Sequence, residues 1–380
     1  MTSRKITSYI EGKKSAPGSI AFTLKNMDYL LLLLVMTVTG LGVIVIYGST
    51  YSIPGLREYA WKQVVWGGIG LVFFLALSLL DLSKVRHLIW PVYILVILSL
   101  VLLFFMGLKV KGARSWYAVG TIRIQPSEFA KIVVIICLAY YLSHIERQMT
   151  RIRDIVAPAL LVGLPSALIL IQPDFGTASL FFPILLIMLY IAGCSKRLIL
   201  LLILLAVWIS LSAYPFLKPY QKARIKVFLN PGYESKWHGY NIRQAEISLG
   251  SGGIRGKGWK QGTQTQLRFL PERHTDFIFS SLGEQFGIVG CLSLLFLYTF
   301  IVLRSLRPSI TSLDRFGQLT ITGLVACFII HIIFNIGMSL RLLPVTGLPL
   351  PLFSYGGSFL LTNYIIFGII ESIYMRKYLY

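Results

Sequence analysis

Ten long apolar stretches constrain this chain more than any other feature. They lie near residues 28–48, 61–80, 88–107, 127–143, 155–171, 175–193, 198–216, 277–303, 317–337 and 357–374. About 20 consecutive apolar residues suffice to cross a bilayer as a helix. Within lipid every backbone polar group must be paired inside the protein, which leaves helices or closed barrels. Barrel strands alternate apolar and polar residues, whereas these stretches are continuous. The expected fold class is therefore all-α: a polytopic membrane protein with about ten transmembrane helices and one long extracytoplasmic loop. Composition agrees. Hydrophobic residues make up 56% of the chain and charged residues 13%, and mean hydropathy is +0.73. A water-soluble enzyme carries about 25% charged residues, so that class is excluded, and a disordered chain is excluded with it.

The net charge is +21. In a soluble chain that excess would point to nucleic acid. In a membrane protein it answers to anionic lipid and to the retention of Lys and Arg on the cytoplasmic side, and no nucleic-acid partner is expected. Counting from an N-terminus inside, the inner loops hold Lys84 and Arg86; Arg147, Arg151 and Arg153; Lys196 and Arg197; and Arg304, Arg307 and Arg315. The chain ends near Arg376 and Lys377. The outer loop 171–175 has no Lys or Arg, and 338–356 has only Arg341. Both termini are thus expected in the cytoplasm. Residues 1–27, basic and without a short apolar core and cleavage site, read as a cytoplasmic tail rather than a cleaved signal. The remainder, 28–380, reads as one transmembrane domain with a large periplasmic loop at about 217–276. Cys137, Cys194, Cys291 and Cys327 show no pairing motif and read as small buried hydrophobes.

Two outer segments are basic against this trend. The loop 217–276 carries eleven Lys and Arg, but long loops cross regardless of charge. The short segment 108–127, with Lys109, Lys111, Arg114 and Arg123, has no such exemption. Cations held there suggest an anionic ligand, with contact to anionic lipid as the plainer alternative. Within the long loop, NIRQAEISLG (Ile242, Ala245, Ile247, Leu249) suggests a short amphipathic helix. GSGGIRGKG lacks the spacing of a phosphate loop and follows no strand, leaving only a backbone nest as a route to a pyrophosphate.

The richest cluster is LPERHTDFIFSSLGEQFG, residues 270–287. Glu272, Arg273, His274 and Asp276 stand just before an apolar run, and Glu284 stands two turns into it. A carboxylate at the membrane boundary is a candidate general base; an acidic helix cap is the structural alternative. Further boundary polar groups are Glu128 and Lys131, three apart and able to pair on a helix face, then Asp174, Asn335, Arg341, Ser354, Tyr355 and Ser358. Most map to the outer ends of the spans, describing one extracytoplasmic site open sideways to lipid.

Five segments in order, KGARSWYAVGTIRIQPSEFAK, IQPDFGTA, GYNIRQAEISLGSGGIRGKG, GTQTQLRFLPERHTDFIFSSLGEQFG and NIGMSLRLLPVTGLPLPLFSYGGSFL, resemble the SEDS family of cell-wall polymerases, on its elongation rather than its division side. The resemblance runs from about residue 25 onward. It implies a bacterial inner-membrane glycosyltransferase with ten helices that polymerises lipid II. It also implies a class B penicillin-binding transpeptidase and elongation-complex membrane proteins as partners. Asp276 matches the family's essential aspartate; Arg114 and Trp116 match its GARxW segment; Glu128 and Lys131 match its QPSExxK pair. SYGGSF in place of SYGGSS, and Arg341 in place of a common Gly, depart from the pattern.

On this reading Asp276 is the catalytic base, and Lys111, Arg114, Trp116, Glu128, Lys131, Asp174, Arg273, His274 and Ser354 bind substrate. Cations, or a divalent metal such as Mg or Mn, would neutralise the leaving pyrophosphate; no tightly bound cofactor is expected. A single carboxylate suits one-step inversion better than a two-carboxylate scheme. A lipid-precursor flippase or a scaffold for wall enzymes would fit the helices equally well, but neither needs a base, and no internal repeat of the transporter kind is visible.

The orientation is checked by cysteines introduced at Ser235 and Ser3. An impermeant thiol reagent applied to intact cells, with any outer membrane permeabilised, should label Ser235→Cys and spare Ser3→Cys. The reverse pattern overturns the assignment.

Overall fold

The computed structural model describes residues 26–53, 55–82, 84–110, 113–120, 122–216, 219–229, 238–311 and 314–376. The expected tail, up to residue 25, lies outside them. Each apolar stretch is a helix: α1 Tyr29–Thr50, α2 Glu58–Leu79, α3 Ile89–Met106, α4 Pro126–Ser143, α5 Arg153–Ile171, α6 Phe175–Ile191, α7 Lys196–Ala213, α11 Ile278–Thr311, α12 Arg315–Ser339 and α13 Gly357–Met375. Eight of these regions are long and apolar enough to cross a membrane; α6 is apolar but shorter. Leu95, Phe105, Leu160, Trp208 and Leu211 are all exposed, which suits lipid rather than water.

The long loop is itself folded, with α8 Pro219–Leu229, α9 His238–Ser251 and the single turn α10 Thr263–Gln266. The expected amphipathic helix is α9, with Ile242 and Ala245 buried but Ile247 exposed. One small element between α3 and α4 is not helical. Residues 108–124 form a three-stranded antiparallel sheet, β1 Leu108–Val110, β2 Ala113–Val119 and β3 Ile122–Ile124. Trp116 stands opposite Leu108, and Tyr117 Oη donates to the Ser99 carbonyl of α3 at 2.7 Å.

Local chemistry sets the helix starts. Asp28, Asp174 and Asp314 cap α1, α6 and α12, accepting from Leu31 N, Thr177 N, and Phe316 N with Gly317 N. Pro126 opens α4, where its missing N–H costs no helical bond. The most enclosed helices are α4, α12 and α13; α2, α3 and α11 turn most of their surface outward. Small residues allow backbones to meet, as in membrane helix pairs generally. A Cβ on Gly70 of α2 would strike the Tyr364 ring of α13, and one on Gly368 of α13 would strike the Phe74 carbonyl of α2.

Polar contacts gather at two ends of the bundle. At one, Arg304 and the Asp28 backbone join α11, α1 and Glu371 of α13, while Arg86 reaches Asp314 at 2.6 Å. The other, here the loop end, gathers the sheet, α8 to α10 and the segment 340–356. There α11 breaks at Gly287 (φ 66°, ψ −160°). The glycine-rich segment lies backbone to backbone on this break: Lys257 N and Gly258 N donate to the Glu284 and Gln285 carbonyls, and Ile288 N donates to Gly253 O at 2.9 Å. The glycines therefore serve close approach to α11.

Gly252 and Gly250 make the matching test. A Cβ on Gly252 would sit 1.9 Å from Gly283 O, whereas one on Gly250 meets nothing within 4 Å. Gly252→Ala should lower thermal stability by the equivalent of about 1–3 kcal/mol, the usual cost of overpacking. Gly250→Ala, inside α9, should be neutral or mildly stabilising. Equal melting of the two variants contradicts this packing.

Candidate active site

Asp276 lies in the turn 271–277 that leads into α11, half-buried. Its backbone is fixed residue by residue. The Glu272 carbonyl accepts from Thr275 N and Phe277 N, and the Arg273 carbonyl from Ser281 Oγ at 2.9 Å. The His274 carbonyl accepts from Tyr355 N at 2.9 Å, and the Thr275 carbonyl from Ser354 Oγ at 2.7 Å. The Asp276 carbonyl accepts from Asn335 Nδ2 at 2.9 Å. Asn335 Nδ2 also donates to Leu348 O at 2.8 Å, so one buried amide of α12 ties the turn to the segment 340–356. Beneath the turn, Ala245 of α9, Leu270, Phe277 and Val345 form a separate apolar cluster. The Asp276 carboxylate lies at Gly347, where φ is +75° and a Cβ would stand 3.5 Å from Oδ2.

The flanking residues have distinct roles. Arg273 is buried and donates to Thr265 O. Burial first, then the nearby Arg268, draw its pKa down from the ordinary arginine value, yet a guanidinium stays protonated. Thr265 N is held in turn by Glu284, whose wholly buried carboxylate also accepts from Gln264 N at 2.8 Å and Lys257 Nζ at 3.2 Å. His274 stacks on Tyr59 of α2 with centroids 4.9 Å apart, and Tyr59 stacks on Tyr355 at 4.4 Å. Burial pushes the Tyr355 phenol up, opposed by the positive charges of Lys62 and Arg123.

A second polar group lies deeper. Lys131 of α4 donates to Glu128 Oε2 at 2.7 Å and contacts His331 Nε2 of α12 at 2.7 Å. All three side chains are buried. Asp174 receives Gln125 Nε2 at 2.9 Å while capping α6, and a Cβ on the neighbouring Gly176 would strike Thr346 O. Thus α6 abuts the segment that carries Gly347.

The expected site residues fall into three groups. Asp276, Arg273, His274 and Ser354 share the turn and its clamp. Glu128 and Lys131 pair deeper in the bundle, while Asp174, half-buried, caps α6 and holds Gln125. Arg114 and Trp116 stand on β2, with Arg114 exposed and donating to Phe104 O at 2.7 Å. Lys111 lies outside the described residues. His331, Tyr59 and Gln63, which donates to Ser354 O, were not foreseen. An ionisable residue inside an apolar run is a functional signal that marks His331; nothing in the sequence marks Tyr59.

Fold and site together define a class: a polytopic helical membrane protein with one acidic side chain held on a rigid turn among cations and aromatic rings at the loop end. Comparison with known proteins narrows it. The family model covering FtsW, RodA and SpoVE, described as cell cycle protein, matches residues 28–379. Peptidoglycan glycosyltransferase RodA of Treponema pallidum is 35% identical, over 93% of this chain and 98% of its own. Peptidoglycan glycosyltransferase MrdB of Escherichia coli K12 is 36% identical, over 93% and 94%. Among solved structures, one from a study of polymerization and crosslinking by a peptidoglycan synthase complex aligns with a TM-score of 0.81 at 30% identity, covering 93% of this chain and 98% of that one. The RodA crystal structure from Thermus thermophilus aligns at 0.70 and 27% identity, over 95% and 99%. The chain belongs to the FtsW, RodA and SpoVE family.

Asn335 offers a direct check of the clamp. Asn335→Ala leaves the Asp276 and Leu348 carbonyls without their donor, which costs about 1–3 kcal/mol when such groups are buried. Amide exchange across 272–277 should speed up while exchange within α4 and α13 stays unchanged. Unaltered exchange in the turn would show that Asn335 does not hold it.

Proposed function

We propose that this protein is a peptidoglycan glycosyltransferase that polymerises lipid II into glycan strands during cell elongation, with Asp276 as general base. The observation that carries the reading is the clamp on residues 272–276, which holds the Asp276 carboxylate at the loop end on a fixed backbone. Catalysis gains most from groups positioned before reaction begins. The family membership and the glycosyltransferase relatives support the same activity.

The reaction follows from the parts. A sugar hydroxyl of the acceptor attacks the anomeric carbon of the donor. The new C–O bond forms as the bond from that carbon to the lipid diphosphate breaks, and the bonding pair leaves with the diphosphate. Asp276 takes the hydroxyl proton. A positioned base of this kind contributes typically 10²–10⁴-fold. Arg273, a buried cation within the turn, would favour the negative charge that develops on the diphosphate. Among the described residues no group of three or more His, Cys, Asp or Glu side chains is placed to hold a metal. Magnesium commonly binds through one or two carboxylates and substrate phosphates; one Asp276 oxygen would supply such a ligand and leave the other for the proton. Bound that way, Mg or Mn would neutralise diphosphate charge. The buried pair Glu128–Lys131, with His331, is proposed to hold α4 against α12 beside the site; removing one member of such a pair typically costs 3–5 kcal/mol.

In this reading the protein sits in the cytoplasmic membrane with both termini inside and the loop end outside. A class B penicillin-binding transpeptidase docks with it, and elongation-complex membrane proteins accompany the pair. Asp276→Asn preserves size and hydrogen bonding but not basicity. With purified protein and lipid II in detergent, the variant should form no glycan while its melting temperature and transpeptidase association stay within error of the parent. Retained polymerisation, or loss that tracks unfolding, would reduce Asp276 to a structural residue, with Glu128 and Asp174 next to be tested.

A further inference from the structure

At the loop end three cations pair with a carboxylate among the described residues. Lys62 pairs with Glu58 at 2.9 Å, Lys257 with Glu284 at 3.2 Å and Arg341 with Glu246 at 3.5 Å. Arg57 and Lys260 instead converge on one aromatic ring. The Arg57 guanidinium carbon lies 4.6 Å from the Tyr51 centroid, and the Lys260 ammonium lies 4.2 Å from it. Lys260 is also 4.1 Å from the Trp259 ring and 4.8 Å from Tyr47. Among the described residues neither cation has an ion pair; Glu58, beside Arg57 in sequence, is engaged by Lys62.

Both cations are held in place. The Arg57 Nε donates to the Tyr51 carbonyl, and the Trp259 Nε1 donates to Ile44 O of α1 at 3.1 Å. Lys260 has φ +63°, a conformation that side-chain-bearing residues avoid and that persists where surrounding contacts demand it. Aromatic faces orient a cation without neutralising it, so two positive charges remain at this spot. Tyr51, Trp259 and the neighbouring Trp61 are exposed, at the end of the apolar span α1, where Trp and Tyr sit at headgroup depth.

We infer that Arg57 and Lys260, set on Tyr51 and Trp259, form a binding site for the phosphate of a membrane lipid at the rim of the Asp276 turn. Two fixed cations offer several N–H donors to phosphate oxygens, the geometry of charge-assisted recognition. The lipid's apolar chains can follow the outward surface of α1 and α2. The site adjoins the catalytic turn through α2, because Tyr59, two residues beyond Arg57, stacks on His274. A phospholipid and a polyprenyl diphosphate both present anionic phosphate oxygens, and the measurement separates them.

The test uses the full-length protein in detergent micelles, with bound lipid counted by native mass spectrometry. One arm adds phosphatidylglycerol, a second undecaprenyl diphosphate and a third neutral diacylglycerol. Arg57→Gln and Lys260→Gln should each weaken binding of at least one phosphate lipid by about tenfold, the loss of one charge-assisted contact. Arg57→Lys should weaken it less, and diacylglycerol should be unaffected. The lipid whose binding falls identifies the source. Unchanged binding of both phosphate lipids, or an equal loss for diacylglycerol, overturns the site. Should a neutral variant fail to fold, binding by the parent protein decides: affinity that falls with rising salt supports the site, and salt-independent affinity overturns it. Binding rather than polymerisation is read throughout, so the outcome is separate from that of the proposed reaction.

Discussion

Five consecutive backbone carbonyls, Glu272 to Asp276, each accept a hydrogen bond, and the loop end is organised around that fact. A turn at a membrane boundary cannot leave its polar groups bare. Here its donors come from Asn335 of α12, from Ser354 and Tyr355 before α13 and from Ser281 of α11. Gln63 of α2 grips Ser354 from behind. Satisfying one short turn thus fixes four helices relative to one another. The same bonds leave the Asp276 side chain on a backbone with little freedom.

Buried charge supports this arrangement from two sides. Glu284 sits one layer behind the turn and gathers the backbone of 264 and 265, which positions Thr265 for Arg273. The helix break at Gly287 lets the glycine-rich segment reach Glu284 at all. Deeper in the bundle, Lys131 links α4 to α12 through His331, on the helix that supplies Asn335. Each buried ion is matched by hydrogen bonds, as the cost of desolvation requires. Together they make the interior of a lipid-facing bundle polar along the path to the turn.

Much of this was legible in the sequence. Because lipid permits so few alternatives, continuous apolar runs matched the helices within about three residues, except that α11 runs on to Thr311, eight residues past the apolar run. Asp276, Arg273, His274 and Ser354 were legible as polar residues at a span boundary, and the structure brings them together. The pairing of Glu128 with Lys131 followed from their spacing on one helix face. The sheet at 108–124 was hidden, since its three strands are short and lie between spans without an alternating pattern. Asn335 was visible as a polar residue, but its two carbonyl partners lie 59 and 13 residues away. Tyr59 and the Tyr51 cation pair depend on how α1 and α2 meet the folded loop, which periodicity does not encode.

The central claim is that the Asp276 carboxylate acts chemically and does not merely cap a helix. Adding formate to purified Asp276→Ala with lipid II tests it most directly, because a small carboxylate can occupy the space that the truncation opens. The account predicts no glycan from the variant alone, and a rate that rises with formate but not with chloride at equal ionic strength. A variant that polymerises without formate, or one that still binds lipid II yet ignores formate at every concentration, contradicts the account.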